Sequence, residues 1–291
     1  MAQILFVERY PLPTFFQRRL SRIVPGLVVF VAAMLVANVG YVRLLHKPPL
    51  LGLVDAVAAV TFTMNYAVAY AHLSSVVVHT WSLAVEEHSY LLLAILALAT
   101  RRNPVIASVI LLSAACLCAI NGLAQAHVYT GPSLAHDVYW RTDVRAGTVF
   151  LSAGLHLLLR QRTFPTYVSP ALLVAGFVLG LQRPEIAYTL GSVAFALSVV
   201  TLQSAGAATL TAFSWKPLTQ IGLWSFSIYL WQQPFYFAKS VVPSPVALAG
   251  ALVAGVVSFY VIEQPARRYL NRLGSVKGDP TAARRSGVPA G

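Results

Sequence analysis

Runs of about 17 to 22 apolar residues, parted by short polar segments, recur along nearly the whole chain. Each run is long enough to cross the hydrocarbon of a bilayer as a helix. The pattern predicts spans at about 24–45, 81–100, 104–125, 143–160, 167–182, 185–204, 219–239 and 245–262. A ninth apolar stretch, 50–70, carries Asp55, Thr61, Thr63 and Asn65 and is the ambiguous one. The expected fold is all-α and polytopic: about eight transmembrane helices plus one re-entrant or interfacial segment. Residues 1–270 form one helical membrane domain in this reading. Residues 271–291 form a disordered, basic cytoplasmic tail, being rich in Gly, Pro, Ser and Lys/Arg from Gly274 on.

Composition strengthens that assignment. The 291 residues are 57% hydrophobic and 10% charged, far below the roughly 25% charge usual in soluble domains. Mean hydropathy is +0.69. The net charge of +12 raises the question of nucleic acid. The bases cluster in short segments between apolar runs, as cytoplasmic loops do, so nucleic acid is set aside. Cys116 and Cys118 are two apart in an apolar run and point to different helix faces, which indicates neither a metal pair nor a redox motif. Met1–Tyr10 has no basic region before an apolar core and does not read as a signal peptide.

Loop charge decides the treatment of 50–70. With a cytoplasmic N-terminus and no crossing there, fifteen of the 21 bases fall inside. The six outside are Arg43, Lys47, Arg141, Arg145, Arg183 and Lys239. If 50–70 crosses, only eight remain inside. The first topology obeys the positive-inside rule, so both termini are expected in the cytoplasm. The polar residues of 50–70 are then expected to be satisfied within the bundle.

The chemistry concentrates in His79-Thr-Trp-Ser-Leu-Ala-Val-Glu-Glu-His-Ser-Tyr90, at the start of a long apolar helix. Ionisable groups at membrane depth are costly and point to a site. At helical spacing His79, Ser82, Glu86 and Tyr90 share one face, while Glu87 points elsewhere. A base, a hydroxyl and a carboxylate on one stripe fit proton transfer; complementing the helix dipole is the plainer alternative, above all for Glu87. Arg19 and Arg22, one turn apart, fit a phosphate grip or a topology signal. Arg145 opens a helix near the outer face, where it either pairs with Asp143 or meets an acceptor phosphate. Trp224, Tyr229 and Trp231 fit an aromatic belt or a sugar platform. The remaining histidines, His46, His72, His88, His127, His136 and His156, lack a shared spacing and make no metal site.

Five segments in order resemble the bacterial membrane acyltransferase-three family, multi-pass enzymes that O-acylate cell-surface sugars. They are Arg18-Arg-Leu-Ser-Arg-Ile-Val-Pro25, the His79–Tyr90 run, Thr142-Asp-Val-Arg-Ala146, Ile221-Gly-Leu-Trp-Ser-Phe-Ser-Ile-Tyr-Leu-Trp231 and Ile262-Glu-Gln-Pro-Ala-Arg-Arg268. The resemblance covers about Leu12 to Tyr269. It implies a bacterial cytoplasmic-membrane enzyme that moves an acyl group, acetyl by expectation, from acyl-CoA to a saccharide or lipid-linked glycan hydroxyl. Glu86, His79 and Ser82 would carry the catalysis, with Arg19 and Arg22 on the donor phosphates. Arg145, Trp81 and Tyr90 would meet the acceptor, and no metal is implied. The chain departs from the family pattern in two places. Trp231 is followed by Gln232-Gln-Pro234 rather than His-x-Pro, and the family normally opens with two further helices, one carrying a basic residue and a His. The competing expectations are a transporter or acyl conduit without transferase chemistry, and an N-terminally truncated, inactive remnant.

A cysteine placed at position 74 tests the topology: a membrane-impermeant thiol reagent is expected to label it from outside intact cells. Labelling only from the cytoplasmic side would mean that 50–70 crosses.

Overall fold

The computed structural model describes residues 1–46, 48–71, 73, 75–128, 138–239 and 241–275. The expected tail from 276 on, together with His72, His136 and Asp137, lies outside the described residues. Among the described residues every regular element is helical. The helices are α1 (Leu12–Leu45), α2 (Leu53–Val60), α3 (Met64–Ala71), α4 (Trp81–Ala99), α5 (Pro104–Val128) and α6 (Thr142–Leu159). They continue with α7 (Val168–Gly180), α8 (Ser192–Thr201), α9 (Ala207–Phe213), α10 (Lys216–Ala238), α11 (Ser244–Ser258) and α12 (Gln264–Ser275). Single π-turns lead into α8 (Ala187–Gly191) and α12 (Phe259–Glu263).

All eight predicted spans fall on helix, and five described helical stretches are long and apolar enough to cross a membrane. The fold is an all-α, polytopic membrane protein. Large apolar side chains such as Val105, Val109 and Leu117 on α5 are exposed, as surfaces bathed in hydrocarbon require.

The chain divides into two compact units, one of residues 1–10 and 38–222, the other of residues 11–37 and 223–291. In the first, the ambiguous stretch is two eight-residue helices, α2 and α3. Each is about 12 Å long, too short to span alone. Phe62, at φ 56°, makes the break. The polar residues are satisfied around it only in part: Gly52 N–H donates to Asp55 at 2.8 Å, and the Thr61 hydroxyl to the Val57 carbonyl at 2.7 Å, whereas Asp55 Oδ1 and Asn65 Oδ1 are buried without a partner among the described residues.

One hydroxyl ties α3, α4 and α6 together. Asn65 Nδ2 donates to Thr142 Oγ1 at 2.9 Å, and His88 Nδ1 lies 2.8 Å from the same oxygen. Asn65 is fully buried and Thr142 nearly so. Trp81 stacks on Trp140 nearby, with ring centroids 5.4 Å apart. α5 and α6 pack closely because Gly147 presents no side chain: a Cβ there would stand 2.8 Å from that of Cys118.

In the second unit α1 runs unbroken through Pro25. Trp231 meets Phe30 edge-on at 5.5 Å, so this tryptophan packs within the unit rather than forming a belt. Gly255 lets α11 lie against α10, where a Cβ would come within 2.7 Å of the Ile228 backbone. The Ser227 hydroxyl donates to the buried Glu263 carboxylate. α12 extends helix to Ser275, so the expected disorder does not begin at 271. The cause is anchoring: Ser21 bonds the Asn271 side chain at 3.0 Å, and Gln17 the Leu270 carbonyl at 3.1 Å.

Replacing the shared hydroxyl isosterically, Thr142→Val, leaves the buried Asn65 amide and the half-buried His88 ring short of a partner. The expected cost is about 1–3 kcal/mol, read as a lower unfolding midpoint in detergent, with Thr142→Ser close to wild type.

Candidate active site

The first unit carries the site. α4 and α6 enter it side by side, joined at His88–Thr142 and Trp81–Trp140. On α4 the Tyr90 hydroxyl donates to Glu86 Oε1 at 2.8 Å, the bond expected of residues one turn apart on one face. Glu86 and Ser82 are half-buried. His79 sits in the 3₁₀ turn Val78–Thr80 that leads into the helix and is 8% exposed.

Tyr90 opens onto a cavity of about 520 Å³, which also touches Leu93, Arg145, Thr148, Ser152, His156 and the N-terminal residues Met1 to Gln3. Arg145, Thr148, Ser152 and His156 recur at three- and four-residue steps, a polar stripe down α6. From Arg145 to His156 that stripe is about 16 Å long. Its hydroxyls are satisfied locally, Thr148 on the Arg145 carbonyl at 3.0 Å and Ser152 on the Thr148 carbonyl at 2.9 Å. His156 Nε2 lies 3.3 Å from Gln3 Oε1. The cavity meets this polar stripe on one side and the apolar Phe195, Ala196, Val199 and Val200 on another.

Arg145 departs from its expected ion pair. Asp143 pairs instead with Arg141, at 2.6 Å, and accepts from Asn121 at 3.0 Å. Successive helical positions explain it: Asp143 is exposed, whereas Arg145 turns inward and lies over the Tyr188 ring, 4.6 Å from its centroid. Arg145 keeps its hydrogen-bonding fork for the cavity instead of spending it on a carboxylate. Tyr188 stacks on Tyr139 with centroids 4.5 Å apart. Burial, with Glu185 and Tyr188 beside it, pushes the Tyr139 phenol up, which keeps it a proton donor.

The structure thus brings Tyr90 and Arg145 to one cavity, while Glu86 is bonded to Tyr90 without lining it. His79, Trp81 and Ser82 stand on the turns just before Glu86. Trp81 gives one face to Trp140 and does not line the cavity. Arg19, half-buried, and Arg22, exposed, belong to the second unit, where Arg22 and Arg267 act electrostatically on Glu263. Two members escaped sequence reasoning. His156 was passed over as scattered, although its spacing from Arg145 through Thr148 and Ser152 was readable. His88 was passed over because its partner Thr142 is 54 residues away.

Comparison with known proteins bears on the family. The acyltransferase-three family, described as "Acyltransferase domain", matches residues 2–263. The chain is 26% identical over 301 residues to the O-acetyltransferase OatA of Staphylococcus aureus, covering 90% of this chain and 48% of that protein. It is likewise 26% identical over 308 residues to BcsY of Komagataeibacter xylinus, named as a membrane-bound transacylase, covering 94% of this chain and 72% of that one. The chain spans about half the length of the Staphylococcus relatives. No solved structure matches it. A family match over nearly all of the chain places this all-α membrane protein in the acyltransferase-three family.

Proposed function

We propose that the protein is an O-acyltransferase of the bacterial cytoplasmic membrane, taking an acyl group from acyl-CoA and esterifying a saccharide or lipid-linked glycan hydroxyl. The observation that carries the reading is the cavity along α6, lined by Arg145, His156 and Tyr90, whose hydroxyl in turn holds Glu86. The roughly 16 Å of polar stripe along α6 suits the extended arm of a thioester. The expected topology sets the His156 end toward the cytoplasm, where acyl-CoA is made, and both termini on that side.

In the reaction the acceptor hydroxyl oxygen attacks the thioester carbonyl carbon. The carbon–sulfur bond then breaks, and the hydroxyl proton ends on the departing thiol. Glu86 is the carboxylate assigned to that proton, with His79 and Ser82 next along its face. The Tyr90 hydroxyl holds Glu86 in one orientation. Arg145, a cation with several fixed donors, answers the negative charge that develops on the carbonyl oxygen. Acyl conduction without transfer is the alternative reading.

Glu86→Gln is expected to lower ester formation about 10²–10⁴-fold while membrane levels of the protein stay constant. The measurement is transfer from radiolabelled acetyl-CoA to added saccharide by purified protein in lipid. A retained rate removes Glu86 from the mechanism, and wild-type protein that leaves no ester is a conduit.

A further inference from the structure

A second, smaller cavity of about 160 Å³ adjoins the first and shares Arg145, Thr148 and Ser192 with it. The rest of its lining is mainly small and apolar, including Ala119, Gly147, Leu151 and Val193. One wall is the π-turn Ala187–Gly191, which supplies Tyr188, Thr189 and Leu190; such turns interrupt helices often at functional sites. Tyr139 also lines it, 2% exposed, and its hydroxyl has no hydrogen-bond partner.

We propose that this slot holds the acyl chain of the donor, and that it takes chains longer than acetyl. This rests on the acyltransferase reading above. The argument is one of partition. A thioester has a polar carbonyl between a polar arm and an apolar tail, and the two cavities meet at a guanidinium and two hydroxyls. With the carbonyl at Arg145, the arm lies along α6 and the tail enters the apolar slot. Size sets the chain length. A single water-sized group needs about 10–15 Å³ by this measure, so 160 Å³ exceeds what a two-carbon group fills. An acetyl group would leave most of the slot empty.

The test is donor binding to the whole protein in lipid nanodiscs, with acetyl-, butyryl- and hexanoyl-CoA as probes. Wild-type affinity is expected to rise about threefold to fourfold per added methylene, the factor for burying one such group. Ala119→Phe, which fills the slot from α5, is expected to flatten that rise. Val193→Phe, from α8, serves the same purpose should the first variant fail to fold. Val174→Phe, on the exposed face of α7, is expected to keep the rise, which separates the slot from partition of the probes into lipid. Acetyl-CoA binding with no dependence on chain length, or a dependence that survives both slot variants, overturns the slot and leaves the transferase standing. Failure of every acyl-CoA to bind overturns both.

Discussion

A single threonine hydroxyl, that of Thr142, holds the site-bearing helices in register. In hydrocarbon a polar side chain has no water to fall back on, so each must find its partner in the protein. The Asn65 amide nitrogen and His88 do so at Thr142, which joins two consecutive helices to one more than fifty residues on. That junction fixes how α4 lies along α6. From it follows the placing of Tyr90 and its bonded Glu86 beside the stripe that starts at Arg145. The geometry of the candidate site therefore rests on a polar-satisfaction constraint as well as on the close packing that small residues such as Gly147 allow.

The helices themselves were legible. Uniformly apolar runs bounded by basic clusters identify spans whatever their packing, and all eight landed on helix. The break in 50–70 was legible too, since Asp55, Thr61, Thr63 and Asn65 mark a stretch unfit to cross as one helix. The Glu86–Tyr90 bond followed from spacing alone. What the sequence hid was pairing between helices. Nothing local tells that Asp143 takes Arg141 and not Arg145, because both lie two residues away; helix phase and burial decide it. Nor does anything local join His88 to Thr142. The anchoring of α12 by Ser21 and Gln17 is hidden for the same reason, which is why its helix outran the expected start of disorder.

The stripe on α6 is the instructive oversight. Arg145, Thr148, Ser152 and His156 obey the helical repeat, but in an apolar helix two hydroxyls look like harmless back-bonded residues. They are back-bonded here, to carbonyls one turn earlier. Such bonding relieves the cost of burying them while leaving each oxygen a lone pair. A hydroxyl stripe between an arginine and a histidine is thus a way to line a polar path through a membrane without adding charge. Read this way, the spacing would have named the cavity from the sequence.

Arginine at position 145 also has a reason beyond its charge. Its planar cation rests on the Tyr188 ring, a contact an ammonium would make with less area and with a more tightly held hydration shell. A guanidinium held over a ring keeps its N–H groups for other acceptors. Tyr188 belongs to the π-turn, whose extra residue alters the facing of side chains against a regular helix, and Tyr139 backs it from the other side. The aromatic pair thereby holds the cation at the junction of the two cavities. Lysine at 145 would keep the charge and lose the platform, so electrostatic attraction for an anion would survive while precise support for an oxyanion would not.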